Sequence, residues 1–394
     1  PGARACGRLL AAHGVPLMTV RSIKELIESW PAERIIEAFD AVTEERVLVA
    51  IGNEQRDVYD LVALLSPKAW PHLERIAMRS QAGTRRYFGR TIGQYAPIYL
   101  SNLCAADCIY CGFAAQSGNT ERRKTLSMDE LEVECKALTS QGLQSLLIVT
   151  GEAPKKVDVH RIAEAVRVAR RHFPSVSVEV YALDDAGYEV LVEAGVEGVT
   201  LYMETYHRPT YQQVHLLGEK TVYDYRLDAL TRAGRAGVRR LNLGALLGLY
   251  DWRAEVVWAA LHAKALQKTC WQSAVSLSFP RLRHTPERFE IPSPVDDRSF
   301  VQLMLALRLF LPEVGFNLST REPPALRDRL IPLGITMMSA GSSTRPGGYA
   351  STGEETLQQF ALEDTRSPAE VAQAVRRAGY EPVWKDFDEA FHSS

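Results

Sequence analysis

The sequence has few cysteines, almost no net charge and no long apolar run. Six cysteines in 394 residues are too few for the disulfide framework of a small secreted protein. A formal net charge of −2 provides no basic excess for binding nucleic acid or an anionic membrane surface. No apolar stretch approaches the roughly 18 residues that a membrane-spanning helix needs. The 46% hydrophobic and 24% charged residues instead indicate a globular enzyme with one or two domains.

The amino-terminal part of the chain is interpreted as an extension followed by helices. Residues 1–17 are rich in Ala, Gly and Arg, and they lack the apolar centre and cleavage site of a secretory signal. Met18 is a candidate natural start, so residues 1–17 are expected to be a linker or extension. The lack of an export signal predicts a cytoplasmic location. Residues 18–84 place apolar residues at helical spacing, which predicts an N-terminal helical region.

From about residue 96 the pattern changes to short apolar runs that alternate with helical stretches. This alternation predicts an α/β fold with a parallel sheet. Eight units in about 245 residues match a (β/α)8 barrel, and a doubly wound open sheet is the competing interpretation. The barrel is expected at 85–350, followed by a C-terminal tail at 351–394 that packs on it. The predicted strands are 97–102, 145–151, 176–183, 198–205, 239–248, 274–282, 315–320 and 335–340.

Many of these runs end in polar residues or glycine. Reactive groups of a barrel enzyme lie at the carboxyl ends of its strands, so these residues are candidates for the site. Gly244 and Gly248 would let the backbone approach a flat ligand closely, although the G-x-G-x-x-G dinucleotide pattern is absent. Arg281 and Arg283 could be structural. The candidates are Asn102, Thr150, Gly151, Glu152, Glu204, Gly244 to Gly248, Arg281, Thr320, Arg321 and Ser339.

Three cysteines form the pattern C-x3-C-x2-C just after the first predicted strand: Cys104, Cys108 and Cys111. Thiolates are soft ligands suited to iron–sulfur clusters and zinc. Three of them can bind three corners of a cubane and leave its fourth iron for a substrate or cosubstrate. The alternatives are a thioredoxin-like redox pair, a zinc site and three inert thiols. A zinc site would need a fourth ligand. Cys135 and Cys270 lie in predicted helices and are interpreted as core residues.

With Tyr110 before the third cysteine and a barrel around it, this pattern resembles the radical S-adenosylmethionine (SAM) superfamily, which has a TIM-type barrel. The resemblance implies a [4Fe-4S] cluster on the three cysteines, with SAM chelated at the open iron. Its reductive cleavage gives a 5′-deoxyadenosyl radical. The alternatives to a SAM-binding role are an ordinary turn at Thr150–Glu152 and a solvated acid at Glu204. The implied SAM-binding residues are Tyr110, Gly151, Glu152, Glu204, Gly244 and Gly248.

The motifs LLIVTGE, YMETYH, GALLGL, SFPRLR, STREP and PGGYA resemble one subgroup, the aromatic-amino-acid lyases, over about residues 85–390. The best match within it is the tyrosine lyase of thiamine thiazole biosynthesis. The resemblance implies cleavage of L-tyrosine between Cα and Cβ to 2-iminoacetate and p-cresol, with 5′-deoxyadenosine and methionine formed from SAM. The radical would take a hydrogen atom from the tyrosine amino group. Loops and the N-terminal helical layer are expected to shield the reaction.

The resemblance also implies a substrate-binding set of Arg321, Ser339 and Tyr99. A guanidinium can fork onto a carboxylate, so Arg321 and Ser339 would hold the tyrosine carboxylate, with Tyr99 beside them. A salt bridge from Arg321 to Glu322 or Asp328 is an equally open interpretation. No residue is assigned to the phenol hydroxyl.

The implied partners are L-tyrosine, a flavodoxin or ferredoxin type reductant, and thiazole synthase as acceptor of the hydrolysable product. A lyase acting on tryptophan or another aromatic substrate is the alternative within the superfamily. The tyrosine lyase of hydrogenase cofactor maturation carries further carboxyl-terminal cysteines, and this chain has none after Cys270. A zinc or thiol-redox barrel is the alternative from a different class.

Overall fold

The structure is a computed structural model that describes residues 22–283, 285–286, 288–350 and 355–384. The extension expected at residues 1–17, Met18 and residues 385–394 of the predicted tail lie outside this part. The described part of the chain begins with α1 (Ile23–Glu28), α2 (Ala32–Asp40), α3 (Glu44–Gly52), α4 (Val58–Leu65), a 3-10 turn (Pro67–His72) and α5 (Leu73–Phe88). No helix of the described ranges is long and apolar enough to span a bilayer.

Eight parallel strands then alternate with helices. The strands are β1 (Thr91–Ser101), β2 (Ser145–Thr150), β3 (Ser175–Glu179), β4 (Gly198–Thr200), β5 (Arg240–Gly244), β6 (Ala274–Ser278), β7 (Gly315–Leu318) and β8 (Met337–Ser339). The helices are α6 (Met128–Thr139), α7 (Val159–Arg170), α8 (Asp185–Glu193), α9 (Arg208–Val214), α10 (Tyr223–Leu227), α11 (Ala229–Arg235), α12 (Trp252–Thr269), α13 (Asp297–Phe310) and α14 (Pro324–Leu330). Two more 3-10 turns lie at Glu219–Thr221 and Ile331–Leu333. The tail adds α15 (Pro368–Arg377) and β9 (Glu381–Val383).

The strands close into a barrel because β1 pairs with both β2 and β8. This confirms the predicted (β/α)8 fold, and the open-sheet alternative is wrong. Each predicted strand overlaps an observed one, but β1 starts six residues earlier and the others are shorter. Beyond the strands, single bridges such as Glu204 to Ala245 and Leu247 to Arg281 continue the pairing, so polar residues remain aligned above the barrel.

The two faces of β1 show how the sequence divides the barrel interior from the outer core. Tyr95, Pro97 and Tyr99 line a cavity at the barrel mouth. Ala96 and Ile98 are buried in the main hydrophobic core. Successive side chains of a strand point to opposite faces, so one strand supplies both the cavity wall and the packing against the helices.

The N-terminal helices pack on the side of the barrel. In α12, the indole N–H of Trp258 donates a hydrogen bond to the Trp30 carbonyl oxygen at 2.7 Å. In α13, the amide nitrogen of Gln302 donates to the carbonyl oxygens of Leu64 and Ser66. The helical layer therefore covers α12 and α13, and its expected part in shielding the reaction stays a prediction.

The C-terminal tail reaches both ends of the barrel. At the mouth, the Asn102 side-chain amide donates to the Leu357 carbonyl oxygen at 3.1 Å, and the backbone N–H of Leu357 donates to Arg122. At the other end, β9 pairs with Thr91 to Gly93 of β1. The part of the tail around residues 355–364 thus forms one wall of the mouth.

Candidate active site

A cavity of about 130 Å³ lies at the carboxyl ends of the strands. A larger cavity of about 230 Å³ lies at the opposite end of the barrel, against the starts of the strands. Because barrel chemistry takes place at the carboxyl ends, we take the mouth cavity as the candidate active site. Its lining includes Tyr99, Tyr110, Cys111, Glu179, Glu204, Lys220, Leu246, Arg321, Ser339, Gln359 and Phe360.

The three cysteines lie on the loop that follows β1. Cys108 bridges to His215 through the backbone, and the N–H of Phe113 donates to the Cys111 sulfur at 3.4 Å. None of the three forms a disulfide. Burial raises the pKa of all three thiols, that of Cys108 to about 11, so their ionisation requires nearby positive charge.

These features fit an iron–sulfur cluster. Cluster irons provide the positive charge that buried thiolates need, and N–H donors to sulfur are typical around clusters. Within the described residues, no three His, Cys, Asp or Glu side chains are close enough to share a single metal ion. A cubane is larger than a single ion, so its thiolates are spread further apart. Cys135 is buried in α6 and Cys270 is buried at the end of α12, where both act as core residues.

Gly151 and Glu152 pack against the cysteine loop. A Cβ atom on Gly151 would clash with the Leu103 carbonyl oxygen, so glycine is needed for the loop to pass. The Glu152 carboxylate accepts a hydrogen bond from the backbone N–H of Lys220 at 3.0 Å. The Gly151–Glu152 pair therefore holds together two loops at the barrel mouth.

Glu204 follows β4 and carries an unusual backbone. Its φ of 66° makes it the only non-glycine residue of the described chain with a positive φ, and such strain is often found at functional sites. Its carboxylate lies 2.7 Å from the Lys220 ammonium and 3.5 Å from the Arg226 guanidinium. Burial alone would raise the pKa of Glu204, but these two cations lower it, so Glu204 is held as a carboxylate in the cavity.

Gly244 and Gly248 serve packing between neighbouring segments. A Cβ on Gly244 would overlap the Ser278 carbonyl oxygen of β6, and Gly248 has a φ of 121°. Neither glycine lines the mouth cavity, whereas Leu246 between them does. This segment therefore presents an apolar side chain to the cavity.

The predicted carboxylate-binding residues come together on the opposite side of the mouth. The Arg321 guanidinium carbon lies 3.4 Å from the centroid of the Phe360 ring. The Ser339 hydroxyl oxygen accepts a hydrogen bond from the N–H of Thr320 at 3.1 Å. The Tyr99 hydroxyl donates to the side-chain oxygen of Gln359.

The salt-bridge interpretation of Arg321 is wrong in this structure. Glu322 is bound by Arg281 and Arg283, and Asp328 pairs with Arg366. Arg321 is therefore available to bind an anion in the cavity, and Arg281 has a structural role.

Sequence reasoning missed several residues of the cavity. Glu179 ends β3 and faces the cavity, and a charged residue within an apolar predicted strand was the available signal. Lys220, Gln359 and Phe360 come from a turn and from the tail, where no local pattern marks them.

The chain matches two family models and several close relatives. Residues 98–261 match the radical SAM superfamily, and residues 278–381 match the biotin and thiamin synthesis associated domain. The 2-iminoacetate synthases of Salmonella typhimurium and Escherichia coli are each 46% identical, over 345 and 340 residues. These alignments cover 87% and 86% of this chain and 90% and 89% of the relatives.

Two solved structures superpose on most of this chain. HydG, a maturase of the [FeFe]-hydrogenase, superposes with a TM-score of 0.84 at 31% identity, over 90% of this chain and 80% of that chain. HydG from Carboxydothermus hydrogenoformans gives a TM-score of 0.85 at 29% identity, over 93% and 86%. Both matches include the barrel whose strand ends form the mouth cavity.

Proposed function

This chain belongs to the 2-iminoacetate synthase family of radical SAM enzymes, and we propose that its barrel mouth cleaves the Cα–Cβ bond of L-tyrosine. The products are 2-iminoacetate and p-cresol, with 5′-deoxyadenosine and methionine formed from SAM, in thiamine thiazole biosynthesis. The observation that carries this function is 46% identity to two 2-iminoacetate synthases over nearly the whole chain.

Cys104, Cys108 and Cys111 hold the [4Fe-4S] cluster in this proposal. When bound and reduced, the cluster and SAM supply the 5′-deoxyadenosyl radical that abstracts a hydrogen atom from the substrate. The chain itself keeps the cysteine loop in place: the Arg123 guanidinium donates to the Asn102, Phe113 and Ala114 carbonyl oxygens. The loop is therefore closed on itself around the cluster site.

The SAM-binding side of the mouth consists of Tyr110, Gly151, Glu152, Glu204 and the Gly244–Gly248 segment. Glu204 supplies the carboxylate for the ribose hydroxyls or the amino group of SAM. Gly151 and Glu152 fix the neighbouring loops, and the glycines of the fifth-strand segment let Leu246 reach the adenine. Tyr110 is fixed by its hydroxyl contact of 2.9 Å with His215.

The substrate side consists of Arg321, Ser339 and Tyr99. Arg321 binds the tyrosine carboxylate bidentately, Ser339 supports it, and Tyr99 lies beside it. Gln359 and Phe360 of the tail cover these groups, and this excludes water from a reactive radical.

The partners and location remain part of the proposal. A flavodoxin or ferredoxin type reductant supplies the electron to the cluster, and the cytoplasm provides the reducing conditions. Because 2-iminoacetate hydrolyses readily, we propose direct transfer to thiazole synthase. Co-purification of the two proteins and protection of the product in the mixture test this step.

The decisive experiment is an anaerobic product assay. Reconstituted protein with SAM and dithionite should convert L-tyrosine to p-cresol in proportion to 5′-deoxyadenosine, and should not cleave L-tryptophan. An indole-derived product from tryptophan, without p-cresol from tyrosine, would contradict the proposed substrate.

A further inference from the structure

Glu179 is a carboxylate in the mouth cavity that none of the assigned functions uses. It is the last residue of β3 and lines the cavity. In the closed order of the barrel, β3 lies across from β7, which is followed by Arg321. Glu179 forms no hydrogen bond and no ion pair with another side chain in the described part of the chain.

Two of the charged side chains that line the cavity form no ion pair within the described residues. Four charged residues line it: Glu179, Glu204, Lys220 and Arg321. Glu204 is already paired with Lys220 at 2.7 Å. Glu179 and Arg321 remain, and neither has a partner of opposite charge in contact among the residues that the structure describes, although they act on each other electrostatically across the cavity.

A free α-amino acid carries a carboxylate and an ammonium on one carbon atom. A half-buried arginine and a half-buried glutamate that face the same small space are complementary to that pair of charges. We propose, on the premise of the tyrosine lyase function above, that Glu179 binds the α-ammonium group of L-tyrosine and takes up its proton. The substrate nitrogen is then presented to the radical as a neutral amine.

The chemistry of the step requires such a base. An ammonium nitrogen has no free electron pair that could stabilise a nitrogen radical, so a proton has to leave before a hydrogen atom is removed. In the proposed transfer, the N–H electron pair stays on nitrogen and the proton moves to a carboxylate oxygen of Glu179. No oxidant or reductant is consumed.

The other occupant that Glu179 could bind is the phenol hydroxyl. The electrostatic interaction with Arg321 across the cavity favours the ammonium, because carboxylate and ammonium are close together in an α-amino acid whereas the phenol hydroxyl is a ring length away. The aromatic ring is then left to the cavity floor, which Tyr95, Leu147 and Tyr202 line.

The protonation of Glu179 is set by its surroundings. Burial is the main cause that raises its pKa to about 7, and the Glu204 charge adds to it. Burial keeps the facing tyrosines neutral by raising their pKa, and the facing lysine and arginines stay charged. The groups that face Glu179 are Tyr95, Tyr99, Tyr202, Glu204, Lys220, Arg226 and Arg321.

Equilibrium binding to the anaerobic holoenzyme tests the proposal. With SAM present and no reductant, calorimetry measures the affinity of the holoenzyme for four ligands: L-tyrosine, tyramine, 3-(4-hydroxyphenyl)propionate and L-phenylalanine. The propionate lacks the amine, and L-phenylalanine lacks the phenol hydroxyl. Glu179→Gln should lower the affinity for L-tyrosine, tyramine and L-phenylalanine about 10- to 100-fold. It should leave the affinity for 3-(4-hydroxyphenyl)propionate unchanged or raise it, because the variant removes a negative charge that repels the ligand carboxylate. Glu189→Gln, on the exposed face of α8, is the matched control and should change none of them.

Other patterns overturn the proposal. An equal loss for L-tyrosine and 3-(4-hydroxyphenyl)propionate, with L-phenylalanine unaffected, would assign Glu179 to the phenol. Unchanged affinities in Glu179→Gln would exclude both roles. If the wild-type holoenzyme binds none of the four ligands, the proposed tyrosine lyase function itself fails, a result that differs from a loss confined to the variant.

The wild-type protein provides a second test that does not depend on the folding of a variant. Between pH 8 and pH 6 the Glu179 carboxylate becomes protonated. Affinity for 3-(4-hydroxyphenyl)propionate should therefore rise as the pH falls, while affinity for tyramine should decrease. The proposal would be contradicted if the affinities for the two ligands changed with pH in the same direction, or if neither affinity changed.

Discussion

Arg321 lies over the ring of Phe360, with its guanidinium carbon 3.4 Å from the ring centroid. The two residues come from the end of the barrel and from the C-terminal tail. This cation–π contact leaves the donor edges of the guanidinium for an anion in the cavity. The tail therefore both covers the mouth cavity and orients the residue that we propose to bind the substrate carboxylate.

Replacement of Arg321 by lysine tests the bidentate contact. Arg321→Lys keeps the charge but loses the planar fork and the stacking surface. We expect kcat/KM for L-tyrosine to fall about 100-fold or more, with SAM affinity unchanged. Steady-state p-cresol formation and SAM binding measure the two effects. Arg329→Lys, on an exposed residue of α14, is the control, and equal effects of the two variants would argue against a substrate contact.

If Cys104, Cys108 and Cys111 bind the cluster, replacing one of them should remove the cluster, whereas replacing another cysteine should not. Cys108→Ala should abolish the iron–sulfur absorbance and the formation of 5′-deoxyadenosine, because two thiolates do not retain a cubane. Cys135→Ala removes a buried thiol of α6 and should leave iron and sulfide content at about four each per chain. Anaerobic metal analysis measures both. A Cys108→Ala protein with full iron content would show that the ligand set is wrong.

Lys220 is expected to support SAM binding through Glu204. Its ammonium lies 2.7 Å from the Glu204 carboxylate, and together with Arg226 it counteracts the effect of burial on the pKa of Glu204. Lys220→Met should raise the pKa of Glu204, so SAM affinity should decrease and should become weaker still as the pH falls. Titration of SAM into the reconstituted protein at several pH values measures this. Lys156→Met, on an exposed residue, should behave as wild type, and a pH-independent affinity in Lys220→Met would contradict the pairing.

The buried carboxyl group of Glu255 should make the free energy of unfolding depend on pH, independently of the lyase reaction. It is buried in α12 and accepts a hydrogen bond from the Tyr206 N–H at 2.8 Å, while burial raises its pKa to about 7. Between about pH 4.5 and 7 the unfolded chain loses the proton and the folded chain keeps it. The stability that Glu255 provides is therefore present at low pH and is lost as the pH rises through this window.

The corresponding measurement compares wild type with Glu255→Gln. The free energy of unfolding of wild type, relative to the variant, should fall by about 1–3 kcal/mol from pH 5 to pH 7. Thermal melting of the anaerobic protein at both pH values measures the difference. A constant difference would show that Glu255 does not titrate in this range.

Local patterns predicted the parts of the site that are contiguous in the chain. The cysteine loop spans eight residues, and its spacing indicated a cluster before any tertiary contact was known. The alternation of strands and helices likewise predicted the barrel, because each strand–helix unit is encoded by its own periodicity. Gly244 and Gly248 were predicted to let the backbone approach a flat ligand, but the close approach that Gly244 makes is to the neighbouring strand β6.

The sequence by itself therefore determined the fold class and the family, and it supplied the proposed cluster ligands and the proposed anion-binding residue Arg321. Only the tertiary structure decided that Glu204 is paired with Lys220, that the tail covers Arg321, and that Glu179 faces the same cavity with no ion-pair partner in the described part of the chain. The physical reason is that a charged group is defined by its neighbours in space. These neighbours come from strands and a tail that are distant in the chain and meet only when the barrel closes.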